Sequence, residues 1–122
     1  MRMNGLKEYR TKALAWAKEH LLGTVMYEPQ RGKEVVFTMK GIKEAVNQPH
    51  VHYLEKLEAI PHIVDLFEDS VYAGQSLDES RSDYVYRYYA TTIADEISFI
   101  VIRENLYTGL VDFYSIVDKI KE

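Results

Sequence analysis

The chain contains no cysteine and no long apolar run. Without cysteine there are no disulfides, thiolate nucleophiles or cysteine-ligated zinc sites, and the composition fits a reducing compartment. No stretch approaches the roughly 20 apolar residues that a membrane-spanning helix requires. The segment MRMNGLKEYR also lacks the apolar centre of a signal peptide. We therefore expect a cytoplasmic protein with no membrane segment.

Common motifs of nucleotide and hydrolase sites are also missing. Gly41 has no glycine-rich phosphate loop around it, and the sequence contains neither G-x-S-x-G nor H-E-x-x-H. His50 and His52 form an H-x-H pair, but no third or fourth ligand stands near them in the sequence. We expect neither a metal site nor a cofactor.

Length and charge describe a single acidic domain. The 122 residues, 47% of them hydrophobic, suit one domain (residues 1–122) with one core. The net charge is −4, and it divides unevenly into +3 over residues 1–61 and −7 over residues 62–122. A polyanion would therefore meet the first half of the chain and a basic partner the second. Ordinary charge scatter is the alternative.

The first half of the sequence is predominantly helical. Apolar spacing predicts a helix over residues 4–22. A β-rich run at Glu34–Thr38 predicts a strand. The next helix should stop near Asn47, because Pro49 disfavours a helical residue before it. Pro49 can then open a further helix, which is followed by a second helix or a kink at Pro61.

The second half has the pattern of strands. A short extended piece at Val71–Ala73 precedes a polar loop at Gly74–Ser82. Three strands are predicted at Asp83–Thr92, Ile97–Arg103 and Leu110–Val117, with connections short enough for hairpins. Together with the helices, this order predicts an α+β fold in which N-terminal helices pack on one face of a mostly antiparallel β-sheet.

Tyrosine is abundant in the first of these strands. The chain has ten tyrosines, and four of them are Tyr84, Tyr86, Tyr88 and Tyr89. Tyrosines in a strand usually cover a half-buried sheet face. They can also stack on nucleic-acid bases. If they lie along an exposed sheet edge, a homodimer becomes plausible.

Most residues with catalytic chemistry fall in the stretch from 33 to 56. It contains Lys43, His50, His52, Tyr53 and Lys56. A histidine has an ordinary pKa of about 6.5 and can act as a general acid or base near neutral pH. A lysine close to a phosphate can neutralise developing charge. The alternative is that each histidine is a surface or capping residue.

The β-rich half adds candidates for phosphate binding. Arg81 and Arg103 can form bidentate contacts with a phosphate. Tyr114 and Ser115 are neighbours on the last strand, so regular alternation places them on opposite faces. If Phe113 and Ser115 face the helices, Tyr114 faces outward; in the reverse phase Tyr114 is buried.

Two sequence runs resemble a known nuclease group. They are VVFTMKGIKEAVNQPHVHYLEK and FIVIRENLYTGLVDFYSIVD. Over about residues 33–118 the chain resembles phage-associated domains of the barnase–EndoU–colicin–RelE-like (BECR) group. The resemblance implies metal-independent RNA cleavage through a 2′,3′-cyclic phosphate. It implies His50 or His52 as acid or base, Lys43, Lys56 and Arg81 or Arg103 as charge stabilisers, and Tyr114 and Ser115 as groups that position phosphate or supply a proton.

Two functions remain open from the sequence. The first is a metal-independent endoribonuclease with RNA as its substrate and a protein inhibitor as a further partner. The second is a non-catalytic interaction module on the same fold, whose acidic half binds a basic protein partner. The nuclease requires His50 or His52, Lys56 and a strand residue such as Tyr114 to meet in one cleft.

Overall fold

The computed structural model describes residues 2–78, 80 and 83–120. The helices are α1 (Arg2–His20), α2 (Met39–Asn47), α3 (Tyr53–Ala59) and α4 (Ile63–Glu68), with a 3-10 turn (Ile60–His62) joining the last two. The strands are β1 (Val25–Tyr27), β2 (Glu34–Phe37), β3 (Val71–Leu77), β4 (Tyr84–Ile93), β5 (Glu96–Asn105) and β6 (Val111–Val117).

The six strands form one sheet in the order β1-β2-β6-β5-β4-β3. All neighbouring strands are antiparallel except β2 and β6, which are parallel. The helices pack against one face of this sheet, and the apolar core lies between the two layers. The predicted α+β fold with a mostly antiparallel sheet is confirmed.

Helix α2 is held close to the last strand. The Thr38 side chain caps its first turn by accepting a hydrogen bond from the Gly41 amide at 3.3 Å. A Cβ atom at Gly41 would lie 1.7 Å from the carbonyl oxygen of Phe113. Glycine therefore permits a backbone approach that no other residue allows, and α2 buries Ile42 and Val46 beside β6.

Helix boundaries differ from the predicted ones at two places. The first helix ends at His20, and the chain turns through Leu21–Gly23 before β1. Pro49 does not open a helix, because residues 49–52 form an irregular turn and α3 begins at Tyr53. His52 occupies the position before that helix, where it makes no side-chain capping bond.

The prediction of a polar loop at Gly74–Ser82 was wrong in its first half. Gly74–Leu77 continues β3 and pairs with β4, so the antiparallel meander has four strands. The polar side chains of this segment are typical of a loop, but pairing with the tyrosine-rich strand satisfies the backbone groups of every second residue. Gly74 has a φ of 136°, a conformation open to glycine, next to a shift in register after Tyr72.

Strand β6 does not alternate regularly. Ser115 pairs with Val101 and Phe113 pairs with Ile102, so Tyr114 is an additional residue opposite two consecutive residues of β5. Phe113 lies in the core, whereas Ser115 lies on the other side of the sheet. Neither of the two predicted orientations of β6 is therefore complete. Both assumed regular alternation, which puts Phe113 and Ser115 on the same face, whereas the bulge puts them on opposite faces.

Candidate functional site

A cavity of about 420 Å³ lies on the sheet face turned away from the core, here called the outer face. It extends between the end of β3, at Ser76 and Leu77, and the end of α2, at Glu44 and Gln48. Strands β4, β5 and β6 form its floor. The remaining lining residues are Pro49, Asp78, Tyr86, Tyr88, Val101, Tyr114, Ser115, Val117, Asp118 and Lys119.

Tyrosine side chains form much of the cavity wall. The rings of Tyr86 and Tyr114 are 5.1 Å apart and tilted by 47°. The Tyr86 hydroxyl donates to Asp78 at 2.8 Å, and the Tyr88 hydroxyl lies 3.0 Å from the Ser76 hydroxyl. Alternation along β4 directs the Tyr86 and Tyr88 side chains to the outer face. The two hydroxyl contacts then hold their rings in place there.

Arg103 is fixed between aromatic rings beside the cavity. Its guanidinium lies 4.7 Å from the ring centre of Tyr84 and 5.2 Å from that of Tyr114. It also makes two hydrogen bonds to Asp112, at 2.9 and 3.2 Å. Burial opposes its charge, but the bonds to Asp112 outweigh burial and raise the pKa of Arg103. The positive charge is therefore already matched within the protein.

The Ser115 hydroxyl is a buried polar group at the cavity. The residue is 3% exposed, and its Oγ has no hydrogen-bond partner among the residues the structure describes. A buried hydroxyl without a partner is unfavourable by roughly 1–3 kcal/mol. Such groups are uncommon in folded proteins, and each needs a physical explanation, such as a bound water, a bound ion or a catalytic role.

The charged lining of the cavity is mainly acidic. Within residues 2–78, 80 and 83–120, the carboxylates of Glu44, Asp78 and Asp118 line it, against the single ammonium of Lys119. Burial, together with the nearby Glu44 charge, raises the pKa of Tyr114. The cavity therefore has the electrostatics of a site for a cation or for a neutral polar group.

His50 is held in a chain of hydrogen bonds. Its Nδ1 accepts from the His52 amide at 2.8 Å, so Nε2 carries the proton and donates to Ser98 Oγ at 2.7 Å. The Ser98 hydroxyl in turn donates to the carbonyl of Val117 at 3.0 Å. Burial lowers the pKa of His50, although the Asp118 charge opposes this. The ring is thus a neutral link between the 49–52 turn and the sheet.

Lys56 is buried behind the cavity rim. Its side chain is 0% exposed, and its ammonium donates to the carbonyl of Gln48 at the end of α2. The ammonium also lies 4.9 Å from the ring centre of Tyr53. Burial lowers the pKa of Lys56 to about 8, and the Asp118 charge opposes this shift. In this arrangement the ammonium stabilises the turn after α2.

The other predicted site residues lie elsewhere. His52 contacts Glu96, and this hydrogen bond raises the pKa of His52. Lys43 is exposed on α2, and the Tyr53 hydroxyl donates to the carbonyl of Val46 at 2.6 Å, which ties α3 to α2. Arg81 lies outside the described residues.

The predicted residues thus fall into two groups. Tyr114 and Ser115 line the cavity, and Arg103 lies beside them on the outer face. His50 and Lys56 are close enough to influence each other electrostatically, but both lie behind the rim. The single cleft that the nuclease hypothesis requires is not formed by these side chains in this conformation.

Sequence reasoning missed the acidic side of the cavity. Glu44 resembles an ordinary helix-surface residue, with Lys40 four positions before it. Asp118 comes directly after the last strand and belongs to no motif in the sequence. No sequence signal connects these two carboxylates with Tyr86, because the sheet brings them together over long chain separations.

The described residues offer no evident site for a metal ion and no candidate for a membrane-spanning helix. No group of three or more histidine, cysteine, aspartate or glutamate side chains is placed to hold a metal ion there. In the same part of the chain, no helix combines the length and apolarity needed to cross a membrane.

The chain matches the sequence model of a known protein family. Residues 4–107 match the sequence model of a family described as large polyvalent protein-associated domain 3. No curated protein and no solved structure matches the chain.

Proposed function

The chain belongs to the large polyvalent protein-associated domain 3 family, a phage-associated group, and we propose that it is a protein-interaction module. The outer-face cavity binds a lysine or arginine side chain of a basic protein partner. The observation that carries this proposal is a cavity of about 420 Å³ with a tyrosine wall and a charged lining that is mainly acidic.

The chemistry of the cavity suits a basic side chain. A cation over a tyrosine ring gains roughly 0.5–2 kcal/mol, depending on how far it is desolvated. Glu44 forms no salt bridge with the described residues and provides a counter-charge at the rim. The unpartnered Ser115 hydroxyl offers a hydrogen bond to a polar group that reaches the floor. Single side chains should therefore bind weakly, and a longer segment more tightly.

A titration with small probes tests this proposal. Arginine amide and lysine amide are added to the ¹⁵N-labelled protein, and glutamine amide serves as the neutral probe. We expect saturable shifts around Tyr86 and Tyr114 with the basic probes and a several-fold weaker affinity in Glu44→Gln. Glu58→Gln, an exposed carboxylate on α3, is the matched control. Equal binding of the neutral and basic probes would refute the proposal.

An endoribonuclease on the same face is the second candidate. It is favoured by Arg103, Tyr114 and Ser115, three residues that the nuclease resemblance implies and that share the outer face. The acidic lining argues against it, because RNA phosphates would meet Glu44 and Asp118. The pairing of Arg103 with Asp112 also leaves that guanidinium without a free charge for phosphate.

Cleavage of a mixed RNA substrate in EDTA tests the second candidate. The nuclease hypothesis predicts products with cyclic phosphate ends, lost in Tyr114→Phe and Ser115→Ala but kept in Lys40→Ala, a control at an exposed position of α2. The interaction module predicts no cleavage by the wild type on any RNA, including tRNA. Thermal unfolding of each variant separates a lost activity from a lost fold.

A further inference from the structure

Strand β3 is an open edge of the sheet. It pairs with β4 and ends the strand order, so its other side meets no strand in the described chain. The Asp78 amide donates to the carbonyl of Tyr84 at 3.2 Å. Because antiparallel pairing alternates, the backbone N–H and C=O groups of the other even-numbered residues nearby, Gly74 and Ser76, also face β4. The N–H and C=O groups of Gln75 and Leu77 therefore point away from the sheet.

The opposite edge of the sheet, strand β1, is short and is partly covered by α4. Strand β1 has three residues, and the amide of Tyr27 donates to the Glu68 carboxylate of α4 at 3.2 Å. Strand β3 has seven residues, VYAGQSL, with no charge and no proline. Edge strands are usually protected by charged residues, proline or a bulge. The register shift after Tyr72 disturbs only the first part of β3 and leaves residues 74–77 regular.

The open edge and the cavity are continuous. Ser76, Leu77 and Asp78 line the cavity, and Leu77 is 64% exposed. A strand added along β3 would direct every second side chain to the outer face. Long side chains at those positions would extend over the cavity toward the Tyr86 ring. The carboxylates that line the cavity select positive charge at these positions.

From this geometry we infer that the basic partner binds by strand addition. An extended segment with lysine or arginine at alternate positions forms a seventh strand along Gln75 and Leu77, and its basic side chains enter the cavity. This inference rests on the proposed interaction function and adds its binding mode. Main-chain hydrogen bonds provide affinity, and the acidic cavity provides specificity.

A pair of peptides tests this binding mode. The probe is an octapeptide of alternating lysine and threonine, and its matched control carries N-methyl groups on alternate backbone amides. Both have the same charge, but N-methylation removes the donors that an added strand needs. We expect the probe to slow hydrogen exchange of the Gln75 and Leu77 amides at least tenfold. We expect the N-methylated peptide to bind at least tenfold more weakly.

The outcomes separate this inference from the proposed function. Cavity shifts with both peptides at equal affinity, without protection of Gln75 and Leu77, would overturn strand addition while the cavity function stands. No shift with either peptide or with arginine amide would overturn both. Protection that depends on protein concentration, without peptide, would show a second copy at β3 and would also overturn the inference. Gln75→Pro, which removes an outward amide from an edge position, should abolish peptide binding in a folded protein.

Discussion

The buried ammonium of Lys56 should make the free energy of unfolding depend on pH. Substituting this one residue should remove that dependence. The side chain is 0% exposed, and its pKa is lowered from 10.5 to about 8, chiefly by burial. Relative to Lys56→Met, the wild-type protein should become more stable as the pH rises through this window. The variant keeps an unbranched apolar side chain but has no group that titrates there.

The magnitude follows from the two pKa values. Above about pH 8 the native lysine loses its proton, whereas the unfolded chain keeps it until about 10.5. In this interval the unfolded state binds more protons, so the free energy of unfolding rises with pH. At about 1.4 kcal/mol per pH unit, the whole interval contributes roughly 3 kcal/mol. Below pH 8 both states are protonated, and the difference between the two proteins should be constant.

Urea unfolding of both proteins between pH 7 and 10.5 measures this difference. Titration of the tyrosines affects both proteins alike and cancels in the comparison. Lys43→Met, at an exposed position on α2, is the matched control and should give a flat difference. A flat curve for Lys56→Met as well, within about 0.5 kcal/mol, would refute the reasoning, because it would mean that the Lys56 ammonium is hydrated in the native state.

Three further predictions concern packing and charge. Gly41→Ala should lower the unfolding temperature sharply or prevent folding, because its Cβ would lie 1.7 Å from a backbone oxygen of β6. As its matched control, Gly5→Ala in α1, where a Cβ meets nothing within 4 Å, should instead stabilise the protein by about 0.5–1 kcal/mol. Asp112→Asn, at a buried carboxylate, removes the counter-charge of the partly exposed Arg103 guanidinium and should cost about 1–3 kcal/mol in urea unfolding. By NMR, the pKa of His52 should lie above 6.5 and fall toward it in Glu96→Gln. Since the folded pKa is raised, the stability from this contact is complete below pH 6.5 and is lost as the pH rises through the folded value.

Each of these predictions has a clear contrary result. Normal stability of Gly41→Ala would contradict the close approach of α2 to β6. A neutral Asp112→Asn would show that water already solvates the guanidinium. If the pKa of His52 were unchanged in Glu96→Gln, the Glu96 carboxylate would not be the cause of the raised pKa.

Local signals in the sequence predicted the elements that depend on local physics. The two-residue connection at Ala94–Asp95 predicted a hairpin, and both residues adopt the positive φ angles, 54° and 64°, of a tight hairpin turn. Pro49 correctly ended α2 at Asn47. In each case the deciding interactions join residues only a few positions apart.

Features set by distant contacts could not be predicted in this way. The bulge at Tyr114 depends on the register with β5, and regular alternation gives no hint of it. In the sequence, Lys56 resembles an ordinary solvent-exposed cation. Only the fold shows that it is buried and donates to the carbonyl of Gln48 at the end of α2. The acidic side of the cavity likewise depends on α2 and the last strand meeting across the sheet.

The parallel pairing of β2 with β6 has a consequence for the order of folding. Strand β6 lies inside the sheet, between β2 and β5, although it comes last of the six strands in chain order. Thr38 and Asp112, whose side chains bond at this junction, are 74 residues apart. On the ribosome, the hairpins from β3 to β5 can form early, but the two halves of the sheet stay separate until β6 emerges. The cavity floor, which includes β6, is therefore completed only at that final step.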